Sequence, residues 1–323
     1  MKKIVVAPDS FKGSLTSAEV ADAVERGIKD VFPQCNVVKA GVADGGEGTV
    51  EAIVKAVGGD MYAASVTDPL GRPVKAAYGI VRSGGVKTAV MEMSAASGLP
   101  LLLPDELNPW ITSTYGTGEM ISDALNRGCR KFLVGIGGSA TNDAGTGMLS
   151  ALGVRFLDSS GQRLKGCGRD LEAIARIDMS SLMPAARESE FIVACDVNTP
   201  FCGPDGAARV FAPQKGADPQ TAEALDLGMR SFAQVIAEQF QTDIVPLSGA
   251  GAAGGLGGAF KAFLNARLTA GIEMVLDAIA FDSLLEGADL VITGEGRIDA
   301  QTAAGKTAAG VPVSYTHLTL PTT

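Results

Sequence analysis

The sequence predicts an α/β protein built on a parallel sheet, and three observations carry that prediction. The 41 glycines are about twice the usual share of roughly 7%, and they come in clusters, as tight strand-to-helix turns require. Alanines are plentiful and aromatics make up only 5% of the chain, which suits helices packed closely on a sheet. The opening of the chain reads twice as strand, glycine-rich loop and helix, an alternation that leads to parallel pairing.

Each element follows from local chemistry. Ile4 to Ala7 is a short apolar run of the buried type. Thr16 or Ser17 fits the N-cap of the next helix, and Glu19 fits its first turn. Val20, Val24 and Ile28 recur on one helical face, and Pro33 ends the helix. Val37 to Ala40 forms a second strand, followed by a glycine-rich loop and a helix from about Gly48 to Val57. From Met61 the pattern becomes three strands with turns at Pro69-Leu70-Gly71 and Ser83-Gly84-Gly85, an antiparallel meander. A helix with a glycine-rich entry comes next, in "TSTYGTGEMISDALNRG". The strand Lys131 to Val134 then leads into the loop Gly135 to Gly147 and a helix. "FIVACD" reads as a strand ending in Asp196, "TAEALDLGMRSFAQVIAEQF" as an amphipathic helix, "GAGAAGG" as the entry to another helix, and Ala288 to Thr293 as a late strand.

Bulk properties narrow the function. At 323 residues and 46% apolar, the chain has the length of about two domains and the means to bury a large core. A formal charge of −9 argues against nucleic acid and anionic membranes as partners. The five scattered cysteines lack a C-x-x-C pair and read as reduced thiols of a cytoplasmic protein. The run after Lys2 and Lys3 is too short for a signal peptide, and no stretch approaches the ~18 apolar residues of a membrane span.

"GEGRIDAQTAAGKT" (Gly294 to Thr307) ends like a P-loop, G-x-x-x-x-G-K-[ST], but Ala300 stands where the first glycine belongs and the strand ends well upstream. Phosphate is expected elsewhere. Glycine-rich loops after strands aim backbone N–H groups at anions. Such loops hold Asp9, Ser10, Lys12 and Ser14; Asp44 to Gly48; Gly135 to Gly147; Asp196 and Asn198; and Glu295, Arg297 and Asp299. All follow the carboxyl ends of strands, the edge where open α/β sheets bind ligands. The set suits phosphoryl transfer, which needs positioning and charge stabilisation more than covalent chemistry. Plainer roles stand beside each of these: Asp9 or Asp44 as helix caps, Lys12 as a solvated charge, Asp143 as an acceptor for loop amides. His317 is the single histidine and lies in the Thr-rich tail, so Ser-His-Asp catalysis is not expected.

Eight blocks in order resemble the bacterial glycerate kinase type-1 family: "VAPDSFKGSLTSAEVADAVERGI", "ADGGEGTVEAI", "VTDPLGRPV", "GIGGSATNDAGTGMLSALG", "ACDVNTPFCGPDGAA", "FAPQKGA", "GAGAAGGLGGA" and "GEGRIDAQTAAGKT". The resemblance runs from Lys2 to about Gly310. It implies two α/β domains, one flavodoxin-like and built from both chain ends (1–66 and 288–311), the other inserted between them (67–287), with the active site in the cleft. It also implies transfer from ATP with Mg2+ to D-glycerate, giving 2-phosphoglycerate. Residues 312–323 depart from the family pattern and are expected to be a non-native tail on a truncated, less stable flavodoxin-like domain.

The family blocks assign no roles by themselves, so the chemistry of the residues distributes them. Glycerate is expected at Asp9, Ser10, Asp44 and Arg297, with Lys12 or Arg297 pairing its carboxylate. Nucleotide phosphates are expected at Gly137, Gly138, Ser139, Thr141 and Asn142, with Lys306 and Thr307 as helpers. Asp196 is expected to orient the attacking hydroxyl and Lys12 to assist catalysis; the alternative for Asp196 is a loop cap. A kinase of another hydroxy acid and a non-catalytic organic-acid or nucleotide sensor remain open. A dinucleotide oxidoreductase is disfavoured, because the G-x-G-x-x-G spacing at Gly249 to Gly254 follows a proline-containing stretch and not a core strand.

Overall fold

A computed structural model of the chain describes residues 2–11, 14–83, 85–296 and 311. Lys12, Arg297, Asp299, Lys306, Thr307, His317 and the tail 312–323, on all of which the sequence places expectations, lie outside the described residues.

The opening alternation forms as read: β1 (Lys3–Pro8), α1 (Ser17–Val31), β2 (Asn36–Lys39) and α2 (Thr49–Val57). Thr16 caps α1. Its hydroxyl oxygen accepts from the Glu19 amide at 3.2 Å, and Glu19 Oε2 accepts from the Thr16 amide at 2.8 Å. This reciprocal box satisfies two otherwise orphaned donors and stabilises the helix start by about 1 kcal/mol.

The meander is β3 (Gly59–Thr67), β4 (Pro73–Ser83) and β5 (Val86–Glu92). The short α3 (Ser94–Ser97) and α4 (Tyr115–Asn126) lead to β6 (Lys131–Gly135), and α5 (Thr146–Ala151) follows. A small ribbon of β7 (Arg155–Leu157) and β8 (Arg176–Asp178) precedes α6 (Pro184–Arg187) and β9 (Glu190–Ala194). Then come α7 (Ala207–Phe211), α8 (Pro219–Phe240), α9 (Ala252–Leu264) and β10 (Arg267–Thr269). The described chain closes with α10 (Gly271–Ala278), α11 (Phe281–Leu285) and β11 (Leu290–Gly294).

Two main sheets result. A three-stranded parallel sheet has the order β11-β1-β2, so strands from both ends of the described chain pair with one another. A six-stranded sheet has the order β10-β9-β6-β5-β4-β3; its β5, β6, β9 and β10 run parallel and its β3 and β4 antiparallel. β3 pairs along its whole length with β4, from Gly59↔Val81 to Thr67↔Pro73. The change from one sheet to the other therefore comes at Gly58, and the boundary expected after residue 66 falls inside a strand.

Alternation along the strands divides the core. Phe132, Val134, Phe191, Val193, Ala89 and Met91 face a cluster shared with α4, α5, α8 and α9. Leu133, Ile192, Ala194 and Val90 face the opposite way. There they meet α2, α10 and α11, and through them Val5 and Ala7 of β1 and Ala40 and Val42 of the segment after β2. The other face of β1, with Ile4 and Val6, packs on α1. The order of layers is thus α1, small sheet, α2 with α10 and α11, large sheet, outer helices. Each buried Val, Leu or Ile in the middle layer stabilises the contact by roughly 1.5–3 kcal/mol, so the two sheets are held against each other through an apolar layer.

Candidate active site

The parallel strands of both sheets end on one rim. After β1, Asp9 is almost fully buried; its Oδ1 accepts from the Ser10 amide at 2.6 Å, and its own amide donates to the Gly294 carbonyl at the end of β11, 2.8 Å away. After β2, Asp44 Oδ1 accepts from the Gly46 amide at 3.2 Å and so shapes the turn that starts α2. From the large sheet come Glu92 at the end of β5, Gly135 to Asn142 after β6, and Asp196 after β9. β9 stops at Ala194, so Asp196 sits two residues beyond the strand and not at its last position.

The two sets of loops touch. Gly45 has φ +83°, and a Cβ there would lie 2.7 Å from Ala194 Cβ and 2.9 Å from Gly271 Cα. A Cβ on Gly135 would lie 2.4 Å from the Gly45 carbonyl oxygen. These approaches, two to backbone and one to the Ala194 methyl, leave room only for glycine. Beside them opens a cavity of about 610 Å³ lined by Asp9, Ser10, Glu47, Glu51, Lys55 and Glu92 among others. That volume falls within the range of small-molecule sites.

Of the residues expected at the site, Asp9 and Ser10 line the cavity; Asp44, Asp196 and the loop after β6 do not. Gly137 and Gly138 are exposed on the rim, with Gly137 approaching Gly46. Ser139 is largely buried, and Thr141 and Asn142 are wholly so. Only the glycines of that group therefore present their backbone to solvent. Asp196 is exposed and its Oδ1 accepts from the amide of Gly271, the first residue of α10, at 2.9 Å, the geometry of a helix cap. Lys12 and Arg297 are outside the described residues, although Ser10 and Ser14, which flank Lys12, line the cavity.

Asp143 organises the loop from within. It is fully buried and accepts from the Thr114 amide at 2.7 Å, the Thr114 hydroxyl at 2.8 Å, the Gly145 amide at 3.0 Å and the Gly147 amide at 3.2 Å. The plainer sequence reading, an acceptor for loop amides, describes this geometry. Burial holds its carboxyl above the usual carboxylate range, against the pull of these donors.

Two residues with chemical capacity escape a sequence reading. Glu92 lines the cavity, and burial pushes its carboxyl up to about 7, opposed by a hydrogen bond from the Val50 amide and reinforced by Glu51 and Glu47. Its signal was a single charge closing the apolar run "TAVME". Lys215 is 1% exposed, and its Nζ donates to Ser139 Oγ at 2.8 Å and to the Thr141 carbonyl at 2.6 Å. Desolvation draws its ammonium down to about 7, with Asp143 opposing. Its signal was a lone lysine in "FAPQKGA". Among the described residues no group of three His, Cys, Asp or Glu side chains could hold a metal ion, and no helix is long and apolar enough to cross a membrane.

Parallel sheets whose carboxyl-end loops meet at Gly45, Gly135 and Gly271, beside a cavity lined by the small sheet's loops and by Glu92 of the large sheet, define a two-sheet α/β protein with a small-molecule site at its strand ends. Comparison with known proteins places it further. The model of the glycerate kinase family matches residues 4–322, and the chain belongs to that family. A glycerate kinase of Bacillus subtilis is 50% identical over 309 residues, covering 96% of this chain and 80% of the relative. A glycerate 2-kinase of Escherichia coli K12 is 47% identical over 309 residues, covering 96% of this chain and 81% of the relative. The crystal structure of a Salmonella typhimurium LT2 protein, named there as a candidate glycerate kinase 2, superposes with a TM-score of 0.94 at 46% identity, covering 99% of this chain and 85% of that one. The α/β class read from the glycine clusters and the family read from the ordered blocks both agree with these findings.

Proposed function

We propose that the protein transfers the γ-phosphoryl group of ATP to a hydroxyl of D-glycerate, giving 2-phosphoglycerate and ADP. The observation that carries this reading is the meeting of loops from both sheets, at Gly45, Gly135 and Gly271, beside the cavity that holds Asp9, Ser10 and Glu92. Phosphoryl transfer needs two ligands side by side with their charges stabilised, and little else from the protein.

In this reading the two sheets are two lobes, and glycerate sits in the cavity near Asp9 and Ser10. Its carboxylate needs a cation, because Asp9, Glu19, Glu47, Glu51 and Glu92 on the walls face one described basic residue, Lys55. Lys12 and Arg297 are assigned that pairing. The exposed amides of Gly137 and Gly138 and the hydroxyl of Ser139 take the nucleotide phosphates. The full burial of Thr141 and Asn142 gives them a supporting place beneath the loop. Asp196 accepts the proton of the attacking hydroxyl as its oxygen bonds to the γ-phosphorus and the bond to ADP breaks. Mg2+ would arrive with ATP; one or two carboxylates plus phosphate oxygens suffice to hold it, which fits a rim without a three-carboxylate cluster among the described residues. Use of ATP places the protein in the cytoplasm.

A coupled assay of ATP consumption across a panel of small hydroxy acids, with NMR of the product, tests the reading. Turnover dependent on D-glycerate with phosphate on the 2-hydroxyl is expected. Binding without turnover would make the protein a sensor, and preference for another acid would move the substrate.

A further inference from the structure

A buried lysine is costly. An ammonium taken out of water loses several kcal/mol unless a counter-charge or a full set of acceptors receives it. Lys215 has neither in full. It is 1% exposed, its two hydrogen-bond acceptors are neutral, and among the described residues the one carboxylate that acts on it, Asp143, makes no hydrogen bond to it. Asp143 acts on it only through space. Both acceptors belong to one loop: Ser139 and Thr141 stand directly after the exposed pair Gly137 and Gly138. The same loop carries two further buried polar atoms with no hydrogen-bond partner, Thr141 Oγ1 and Asn142 Oδ1. Packing from the far side is tight, since Gly254 approaches the Thr141 carbonyl and Asn142 Nδ2 reaches Met229 Sδ at 3.3 Å. A lysine without an adjacent counter-charge is therefore fixed under a loop whose outer edge offers amides to solvent.

We propose that Lys215 is the positioning residue of the nucleotide-phosphate loop, its ammonium pinning Ser139 and Thr141 from below so that the positive charge beneath the loop is neutralised by the phosphates bound above it. The proposal rests on the assignment of nucleotide phosphates to Gly137 and Gly138. Lys215 does not touch the nucleotide. It holds the loop in the shape that does, and its charge adds to the loop amides across a low-dielectric layer, where electrostatic effects persist. The desolvation cost of the lysine is then offset when the anion binds, which ties loop geometry to nucleotide affinity.

Lys215→Met keeps the length and apolar stem and removes the charge; Lys215→Gln keeps a donor without the charge. Gly137→Val tests the loop itself, because a Cβ there meets nothing closer than Gly46 Cα at 3.9 Å and the side chain would occupy the phosphate position. Steady-state kinetics and thermal melting of all three should be compared with wild type. The expected result is a KM for ATP raised tenfold or more in both Lys215 variants, with KM for glycerate within twofold and the melting temperature of the unliganded protein within a few degrees. A KM for ATP within twofold of wild type in both Lys215 variants, while Gly137→Val raises it, overturns the role of Lys215 and leaves the loop assignment standing. No change in any of the three overturns both. A parallel loss of melting temperature, kcat and both KM values in the Lys215 variants also overturns the proposal, since that is the pattern of a merely structural lysine.

Discussion

Glu92 Oε1 accepts a hydrogen bond from the Val50 amide at 3.1 Å, tying the end of β5 in the large sheet to the first turn of the helix that follows β2 in the small one. Burial raises this carboxyl to about 7. The folded protein thus holds its proton more tightly than the unfolded chain, where a glutamate titrates near ~4.3. The resulting stability is whole below about pH 4.3 and is lost as pH rises through about 7. Glu92→Gln removes the dependence. Urea denaturation should show the variant gaining on wild type by on the order of 1–2 kcal/mol between pH 5 and pH 8, allowing for screening at the exposed edge of the side chain. A difference that stays constant over that range would contradict the assignment.

The contact between sheets at Gly45 predicts a second result. Gly45→Ala forces an alanine to φ +83° and drives its Cβ against Ala194 and Gly271. Strain and overlap together should cost about 2–4 kcal/mol. Gly48→Ala, at φ +90° but in open space, should cost only about 1–2 kcal/mol. The two urea midpoints, measured side by side, separate backbone strain from the close approach; equal midpoints would mean the loops do not meet as described.

Asp196 holds the Gly271 amide and stands on the same rim as the cavity. Asp196→Asn retains an acceptor for that amide while losing the base. If Asp196 receives the hydroxyl proton, the variant folds with a normal melting curve and loses most of its kcat, on the order of 100-fold or more. A kcat within about threefold of wild type would reduce Asp196 to the helix cap that its hydrogen bond resembles.

Asp143 is a structural carboxylate on this account. Asp143→Ala leaves the Thr114 hydroxyl and three buried amides without their acceptor, which should destabilise the protein by on the order of 3–5 kcal/mol. Chemical denaturation checks this directly, and a loss below about 1 kcal/mol would contradict it.

Much of the fold was legible because its signals are local. The cap at Thr16 or Ser17 with Glu19 in the first turn, the apolar face of Val20, Val24 and Ile28, and the turns of the meander need only neighbours in sequence. The β7–β8 ribbon and β10 were not legible, because strands of three residues are too short to show alternation. The pairing of β3 with β4 was legible in the turn at Pro69-Leu70-Gly71 that joins them. At the site, the loops after parallel strands could be named in advance. Which side chains turn inward could not, so the full burial of Thr141 and Asn142 was not legible. Glu92 and Lys215 carry single charges in apolar surroundings, a pattern that becomes informative only when long-range packing shows what each charge touches.

Hydrogen–deuterium exchange with and without ATP and D-glycerate tests the convergence of the two sheets most directly. The account predicts that the ligands together protect amides in residues 9–19 and 42–48, from the small sheet's loops, and in 135–142, from the large sheet's loop. Protection confined to the loops of one sheet, or to neither, would contradict a shared site at their common rim.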